Sequence, residues 1–285
     1  MSAPRSVELI THSLPGDLSE AIKRVCAAAG AAGVSLIASD DEIEKCPGAP
    51  LEAAAQGEPD LCLVLGGDGT ILRALRRFAG TGTPVFAVNF GTIGFLSAVD
   101  RDQLDLGLER ALAGDFEVVP LPGLEATQGG EPALALNDVT VTRLPQGPMA
   151  ELSYRLGGEE LGHVRCDGLV AATPAGSTGY NLANGGPVLA WGVAGFAVSF
   201  IAPHTLTARS LVVAPGDVLQ VSNVASREAV QVACDGGHVL DVPVGDRIEV
   251  TFRDAAASLA QLEGATFYHR MREKFGLLAD RGIRA

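Results

Sequence analysis

Five consecutive apolar residues, Leu61-Cys62-Leu63-Val64-Leu65, run straight into Gly66-Gly67-Asp68-Gly69-Thr70. An unbroken apolar run bounded by a turn signal reads as a buried strand, and the pattern over 71–78 then reads as a helix. The glycines admit φ > 0 and let another molecule approach the main chain closely. The N–H groups of such a turn, beside a helix N-terminus, attract phosphate. A single carboxylate, Asp68, stands among them. Either it is an acid in a tight turn, or it has chemistry to do: binding Mg2+ or accepting a proton from a hydroxyl.

The flanking sequence repeats the strand and helix alternation. Residues 7–10, 34–38 and 83–88 read as strands. Residues 17–30 carry Leu18, Ile22, Val25 and Cys26 at helical spacing, closed by Gly30. Residues 40–59 are acidic and contain proline, a loop with a short helix. This order predicts an α/β domain over 1–115 with an open parallel sheet. Ligands of such sheets sit beyond the carboxyl ends of the strands. That edge then holds Asp68 and the next loop, Asn89-Phe90-Gly91-Thr92-Ile93-Gly94-Phe95-Leu96. Residues 101–113 read as a helix with Leu104, Leu108 and Leu112 on one face.

The texture changes near Phe116. Short β-type runs follow at 116–119, 134–141, 152–156, 169–172, 196–201, 218–221, 230–234 and 247–252, broken by Gly, Pro and Asp. They predict a β-rich, antiparallel second domain over 116–264. A last helix within about 265–285, clearest at 268–275, is free to pack back on the first domain.

Within the β-rich half lies a second constellation. Cys166-Asp167-Gly168 leads through an apolar strand into Thr173-Pro174-Ala175-Gly176-Ser177-Thr178-Gly179-Tyr180-Asn181, and Asn184-Gly185-Gly186-Pro187 follows as a sharp turn. Capping a helix accounts for Ser177, but not for so many polar side chains in one turn. Asn137 and Asp138 interrupt an apolar run and need partners, supplied by neighbouring backbone or by a ligand's ribose hydroxyls. Ala202-Pro203-His204-Thr205 and Asp235-Gly236-Gly237 are further polar breaks at strand ends.

Composition removes several classes. A net charge of −13 argues against nucleic-acid binding. No apolar run reaches the roughly 18 residues of a membrane span, and residues 1–8 lack a signal core, which points to the cytoplasm. Five scattered cysteines without a Cys-x-x-Cys pair read as reduced thiols, and five histidines form no metal-binding spacing. Neither Gly-x-x-x-x-Gly-Lys nor Gly-x-Gly-x-x-Gly occurs.

Together, Gly66 to Thr70, Gly91 to Phe95, Asn137-Asp138, Asp167-Gly168, Thr173 to Tyr180 with Gly185-Gly186-Pro187, Pro203-His204 and Asp235-Gly236 resemble the NAD kinase family in type and order. The Gly-Gly-Asp-Gly turn alone is shared with phosphofructokinases and lipid kinases. The stretch from Thr173 to Tyr180, joined to the Asn-acid pair, is far more specific.

The resemblance implies transfer of a phosphoryl group from ATP, or polyphosphate, to the adenosine ribose 2′-hydroxyl of NAD. Asp68 would activate that hydroxyl or hold the Mg2+ that orients the donor phosphate. Gly66, Gly67 and Gly69 would cradle the donor's phosphates. Asn137 and Asp138 would bond the ribose. Phe95, Thr178 and Tyr180 would line the adenine and ribose pocket, with Asp167 near the nicotinamide side. Thr70, Arg73, Gly179, Asn181, Ala183 and Asp235 complete the implied binding positions. A homodimer or homotetramer is implied as well. Four positions depart from the family pattern: Asp138 for Glu, Ala175 for Thr, Gly179 for Ala, and Ser210 for Pro. Two other readings stand beside this one. A lipid or sugar kinase would explain Asp68 alone. A non-catalytic dinucleotide-binding regulator would keep the pocket without needing Asp68.

Overall fold

The apolar run before the glycine turn is the strand Leu61–Gly66, with all six residues buried. It pairs in parallel with Ser6–Thr11 on one side and Pro84–Asn89 on the other. Ser35–Ala38 and the short Glu52–Ala53 continue the parallel sheet beyond Ser6–Thr11. Residues 258–260 add a parallel partner beyond Pro84–Asn89.

These elements belong to a computed structural model that describes residues 2–12, 18–54, 57–92, 94–224, 227–264 and 267–275. They form two units, Met1–Pro120 with Ala257–Ala285, and Leu121–Ala256. The first unit is the expected α/β layer with a mostly parallel sheet.

Side chains alternate across a strand. Leu61, Leu63 and Leu65 therefore share one face, where they meet Ile22, Val25, Leu104, Leu108 and Phe86 in one core. Burying each such Leu contributes about 1.5–3 kcal/mol relative to exposure. The helix Ser19–Ala32 supplies Ile22 and Val25, and ends at Gly33 in the left-handed region (φ 68°). The Gly30 stop is thus overrun by two residues, while Asp17 lies outside the described residues. The helix expected at 101–113 opens with a 3-10 turn, Arg101–Gln103, and continues as Leu104–Leu112. Asp68–Arg77 packs back through Ile71, Ala74 and Leu75 on the strand it follows.

The second unit is antiparallel throughout. One sheet runs in the order Leu211–Val213, Phe196–Ile201, Gly168–Ala172, Asp138–Arg143, Val230–Cys234 and Gly237–Val242. A second joins Glu159–Cys166, Ala150–Leu156, Leu219–Asn223 and the start of Arg247–Gln261. Their inner faces share a core that includes Val139, Val141, Leu152, Val198, Val221 and Val250.

Three strands of the second unit escaped the apolar pattern: Glu159–Cys166, Leu211–Val213 and Gly237–Val242. Each forms the edge of a sheet and carries exposed residues. The run expected at 134–141 is broken into Ala133–Ala135 and Asp138–Arg143, and the break falls at Leu136 and Asn137. Arg247–Gln261 is far longer than the six residues expected, because its second half joins the parallel sheet. No helix among the described residues is long and apolar enough to cross a membrane.

One glycine fixes the turn after Gly168–Ala172. A Cβ on Gly176 would collide with the Asn137 carbonyl. Gly176→Ala should therefore lower stability by about 1–3 kcal/mol through overpacking against backbone. Urea denaturation with an unchanged midpoint would contradict this.

Candidate active site

Asp68 opens the helix Asp68–Arg77, with Gly67 as its N-cap. The first-turn N–H groups of a helix lack intrahelical acceptors and carry the positive end of its dipole. The Asp68 carboxylate is held at both oxygens. Phe95 N–H donates to Oδ2 at 3.0 Å, and Leu96 N–H donates to Oδ1 at 2.9 Å.

The two glycine-rich loops approach closely because no side chain separates them. A Cβ on Gly91 would stand 2.9 Å from Gly67 Cα, and one on Gly66 would stand 2.7 Å from the Thr70 side chain. Gly69 is exposed and has open space beside it. Asn89 pins the second loop. Its Oδ1 accepts from Gly91 N–H at 2.9 Å, and its Nδ2 donates to Asp100 Oδ1 at 2.9 Å. Gly94 adopts φ +68°, and a Cβ there would strike the Asn89 amide, so glycine is required. Ile93 of this motif lies outside the described residues.

Phe95 contributes through its main chain. Its ring is buried against Phe267 and Phe275, with centroids 6.1 and 5.7 Å away. Arg73 turns toward the carboxyl end of the first strand. Its Nη2 donates to Thr11 O at 2.8 Å and to Glu42 Oε1 at 3.3 Å. Glu42 is buried. Its charge is met by Arg73, by Lys45 Nζ at 2.9 Å, and by the Thr11 N–H and hydroxyl.

In the second unit a carboxylate again holds backbone. Asp235, at φ +50°, accepts from Leu136, Asn137 and Asp138 N–H at 3.0, 2.6 and 3.2 Å. This is why the strand breaks at 136–137: those amides bond a side chain instead of a neighbouring strand. Asp138 lies buried beside Asp235. Burial first, and the Asp235 charge second, push its carboxyl up to about 6.

The turn after Gly168–Ala172 docks on the same break. Thr173 N–H donates to Asn137 O at 2.9 Å, and Thr173 Oγ1 donates to Leu136 O at 2.6 Å. Ser177 is consumed structurally, donating to Pro174 O at 2.7 Å and accepting from Leu189 N–H at 2.9 Å. Asn181 is fully buried and braces the turn through Ser177 O and Pro187 O, at 3.0 and 2.9 Å. Thr178 is half-buried, its hydroxyl on Ala175 O at 3.3 Å. Gly179, Tyr180 and Ala183 form the exposed side of the turn. The Asn137 side chain makes no hydrogen bond among the described residues and is half-buried.

Asp167 is not part of this cluster. The register sets Gly168 opposite Thr142 and Ala172 opposite Asp138, so Asp167 and Asp138 lie at opposite ends of the pair. Five residues of strand separate Asp167 from the turn, about 17 Å. Asp167 pairs with Arg143, Nε to Oδ1 at 2.5 Å.

Residues 45–116 match the family model described as the ATP-NAD kinase N-terminal domain, and residues 136–262 match the ATP-NAD kinase C-terminal domain. The chain belongs to the NAD kinase family. It is accordingly a phosphotransferase.

It is 35% identical over 293 residues to the NAD kinase of Leifsonia xyli subsp. xyli, covering 97% of this chain and 96% of that one. It is 37% identical over 228 residues to the NAD kinase of Symbiobacterium thermophilum, covering 78% and 81%. The yeast NADH kinase solved with NADH shares the fold at a TM-score of 0.85 and 24% identity, over 100% of this chain and 90% of that one. The Archaeoglobus fulgidus NAD kinase solved with ATP does so at 0.74 and 24%, over 97% and 100%.

Sequence reading missed Asn89 and Glu42 in this NAD kinase family member. Each acts by bonding main chain or another side chain, and neither belongs to a motif that marks chemistry.

The Asp138 carboxyl titrates higher in the folded chain, near 6, than its ordinary 3.8. Its contribution to stability is therefore complete below the ordinary value and is lost as pH rises through about 6. Asp138→Asn should remove a stability loss on the order of 3 kcal/mol between pH 4 and 7. Denaturant titrations of both proteins across that range measure it. Parallel pH profiles would refute the assignment.

Proposed function

We propose that this chain phosphorylates NAD at the adenosine ribose 2′-hydroxyl, taking the terminal phosphoryl group of ATP or of polyphosphate. The observation that carries the reading is Asp68: a half-exposed carboxylate at the first turn of a helix, fixed by two backbone N–H groups within a glycine turn. Each of its oxygens accepts one N–H and retains a further lone pair. That leaves the carboxylate oriented and still able to accept a hydroxyl proton.

In this reading the turn from Gly66 to Thr70 holds the donor's phosphates with main-chain N–H groups. The half-exposed Arg73 adds positive charge at the same sheet edge. Asn137 and Asp138 hold the ribose, with Thr178 and Tyr180 beside the adenine. Asp68 accepts the 2′-hydroxyl proton as the new O–P bond forms and the bond to the leaving phosphate breaks. Phosphoryl transfer needs positioning and charge neutralisation rather than a covalent nucleophile.

Among the described residues, no three His, Cys, Asp or Glu side chains gather as a metal cage. Mg2+ would be held chiefly by the donor's phosphates, the usual manner for this ion, with the Asp68 carboxylate as the alternative protein ligand if it does not serve as base. There it would neutralise phosphate charge.

The decisive comparison is wild type against Asp68→Asn, each given NAD, ATP and Mg2+, with NADP read by an NADP-specific dehydrogenase. The variant should lose at least about 100-fold in kcat while still binding NAD. A chelator should abolish wild-type turnover and added Mg2+ restore it. Equal rates in the two proteins would remove Asp68 from the chemistry. NAD binding without turnover on any donor would favour a regulator. The reading also carries a cytoplasmic homodimer or homotetramer, and light scattering of a monomeric species would contradict the assembly.

A further inference from the structure

Arg270 lies on the helix Phe267–Lys274, beyond residue 262 where the family match ends. It is only 6% exposed. A buried guanidinium is expensive unless its charge and donors are met. Its Nη1 donates to Gly94 O at 3.3 Å, and its Nη2 donates to Gln261 Oε1. Gln261, also buried, turns its Nε2 onto Leu96 O at 3.1 Å. Asp68, Asp100 and Glu273 supply the surrounding negative charge, and burial pulls the Arg270 pKa down to about 10, so it stays cationic at neutral pH.

Two of these acceptors, Gly94 O and Leu96 O, belong to the loop that holds Asp68. Gly94 C=O and Phe95 N–H are the two ends of one peptide unit, which is planar. Arg270 grips the carbonyl end, and Asp68 takes the N–H end. Fixing one end fixes the direction of the other. A cation on the carbonyl also polarises the unit, which strengthens the N–H as a donor. Gln261 fixes the peptide unit that follows Leu96, the other residue donating to Asp68.

We propose that Arg270, with Gln261 as its relay, is a positioning residue for Asp68, acting through the Gly94–Phe95 peptide. This rests on the reading of Asp68 as the reacting carboxylate. The C-terminal helix is then part of the active-site machinery. It sets the aim of the carboxylate while contributing nothing to dinucleotide affinity.

The test compares full-length wild type with Arg270→Gln and Arg270→Lys. Two quantities are read: steady-state kcat with KM for NAD, and amide hydrogen exchange at Phe95 and Leu96. The amides of Leu63 to Leu65 serve as the folding control. Arg270→Gln should lower kcat roughly 10- to 100-fold with KM for NAD within about twofold, the signature of a misaimed group. Exchange at Phe95 and Leu96 should accelerate about tenfold or more while Leu63 to Leu65 stay protected. Arg270→Lys keeps the charge and one donor, so it should fall between the two.

Wild-type kcat in Arg270→Gln, or unchanged exchange at both amides, overturns the proposal. So does a matching rise in KM and fall in kcat that tracks lost protection in the strand. If Arg270→Gln fails to fold, Arg270→Lys decides, since full wild-type behaviour in both readouts overturns the proposal. If wild type itself makes no NADP, the functional reading fails, and the exchange data still judge the coupling between Arg270 and the loop.

Discussion

Burial of Leu61–Gly66 along its whole length dictates where this chain can place polar groups in the first unit. A strand covered on both faces and paired on both sides has no polar freedom until it ends. It ends in Gly66 and Gly67, and the next strand, Pro84–Asn89, ends at the same level in Asn89. The two following loops cross there with Gly67 against Gly91. A side chain at either position would push the loops apart and take Phe95 and Leu96 N–H away from Asp68. The glycines thus act on the carboxylate as directly as its hydrogen-bond donors do. A turn open to close approach and an oriented acid arise from one steric condition.

Acids that hold main chain recur in this molecule. Asp60 accepts from Arg5 and Ser6 N–H at 2.8 and 3.0 Å, which holds its carboxyl below the ordinary range. Glu42 holds Thr11, Asp68 holds Phe95 and Leu96, and Asp235 holds Leu136 to Asp138. Hydrogen bonds to a charged acceptor are shorter and stronger than neutral ones. They suit loops that have no ladder to join. Part of the chain's negative charge is therefore architectural. The same logic separates Asp235 from Asp138. Asp235 spends its oxygens on three amides, whereas Asp138 sits beside that charge in a buried place, and its carboxyl is pushed up.

Much of the fold was legible because buried strands leave apolar runs. Leu61–Gly66, Pro84–Asn89, Phe196–Ile201 and Val230–Cys234 have few exposed residues, and their sequences say so. The edge strands Glu159–Cys166 and Gly237–Val242 were invisible for the opposite reason. Backbone pairing builds them, and backbone pairing leaves no mark on side-chain pattern. The clusters around Asp68 and around Asn137 with Asp138 were legible because glycines and polar residues interrupt apolar segments there. What those side chains do was less legible. Ser177 reads as a cap and does bond Pro174 O, while Asn181, an implied binding position, spends its amide on Ser177 O and Pro187 O inside the turn. Phe95 looks like an aromatic wall, but its ring fills core and its amide faces the carboxylate.

Arg270 marks the limit of motif reading most sharply. Nothing near it in sequence signals chemistry, for it stands in Phe267-Tyr268-His269-Arg270-Met271-Arg272, among other polar residues. Its one local clue is the i,i+3 relation to Phe267, which puts both on the buried face of the helix. A cation on a core-facing position needs an anion or a carbonyl waiting for it. Here the waiting group is a loop carbonyl 176 residues earlier. Such long-range pairing is a property of the folded chain alone. The motif supplies the carboxylate, while its aim is set by a helix outside the motif. Substitutions on the buried face of Phe267–Lys274 therefore belong among those that act on the setting of Asp68.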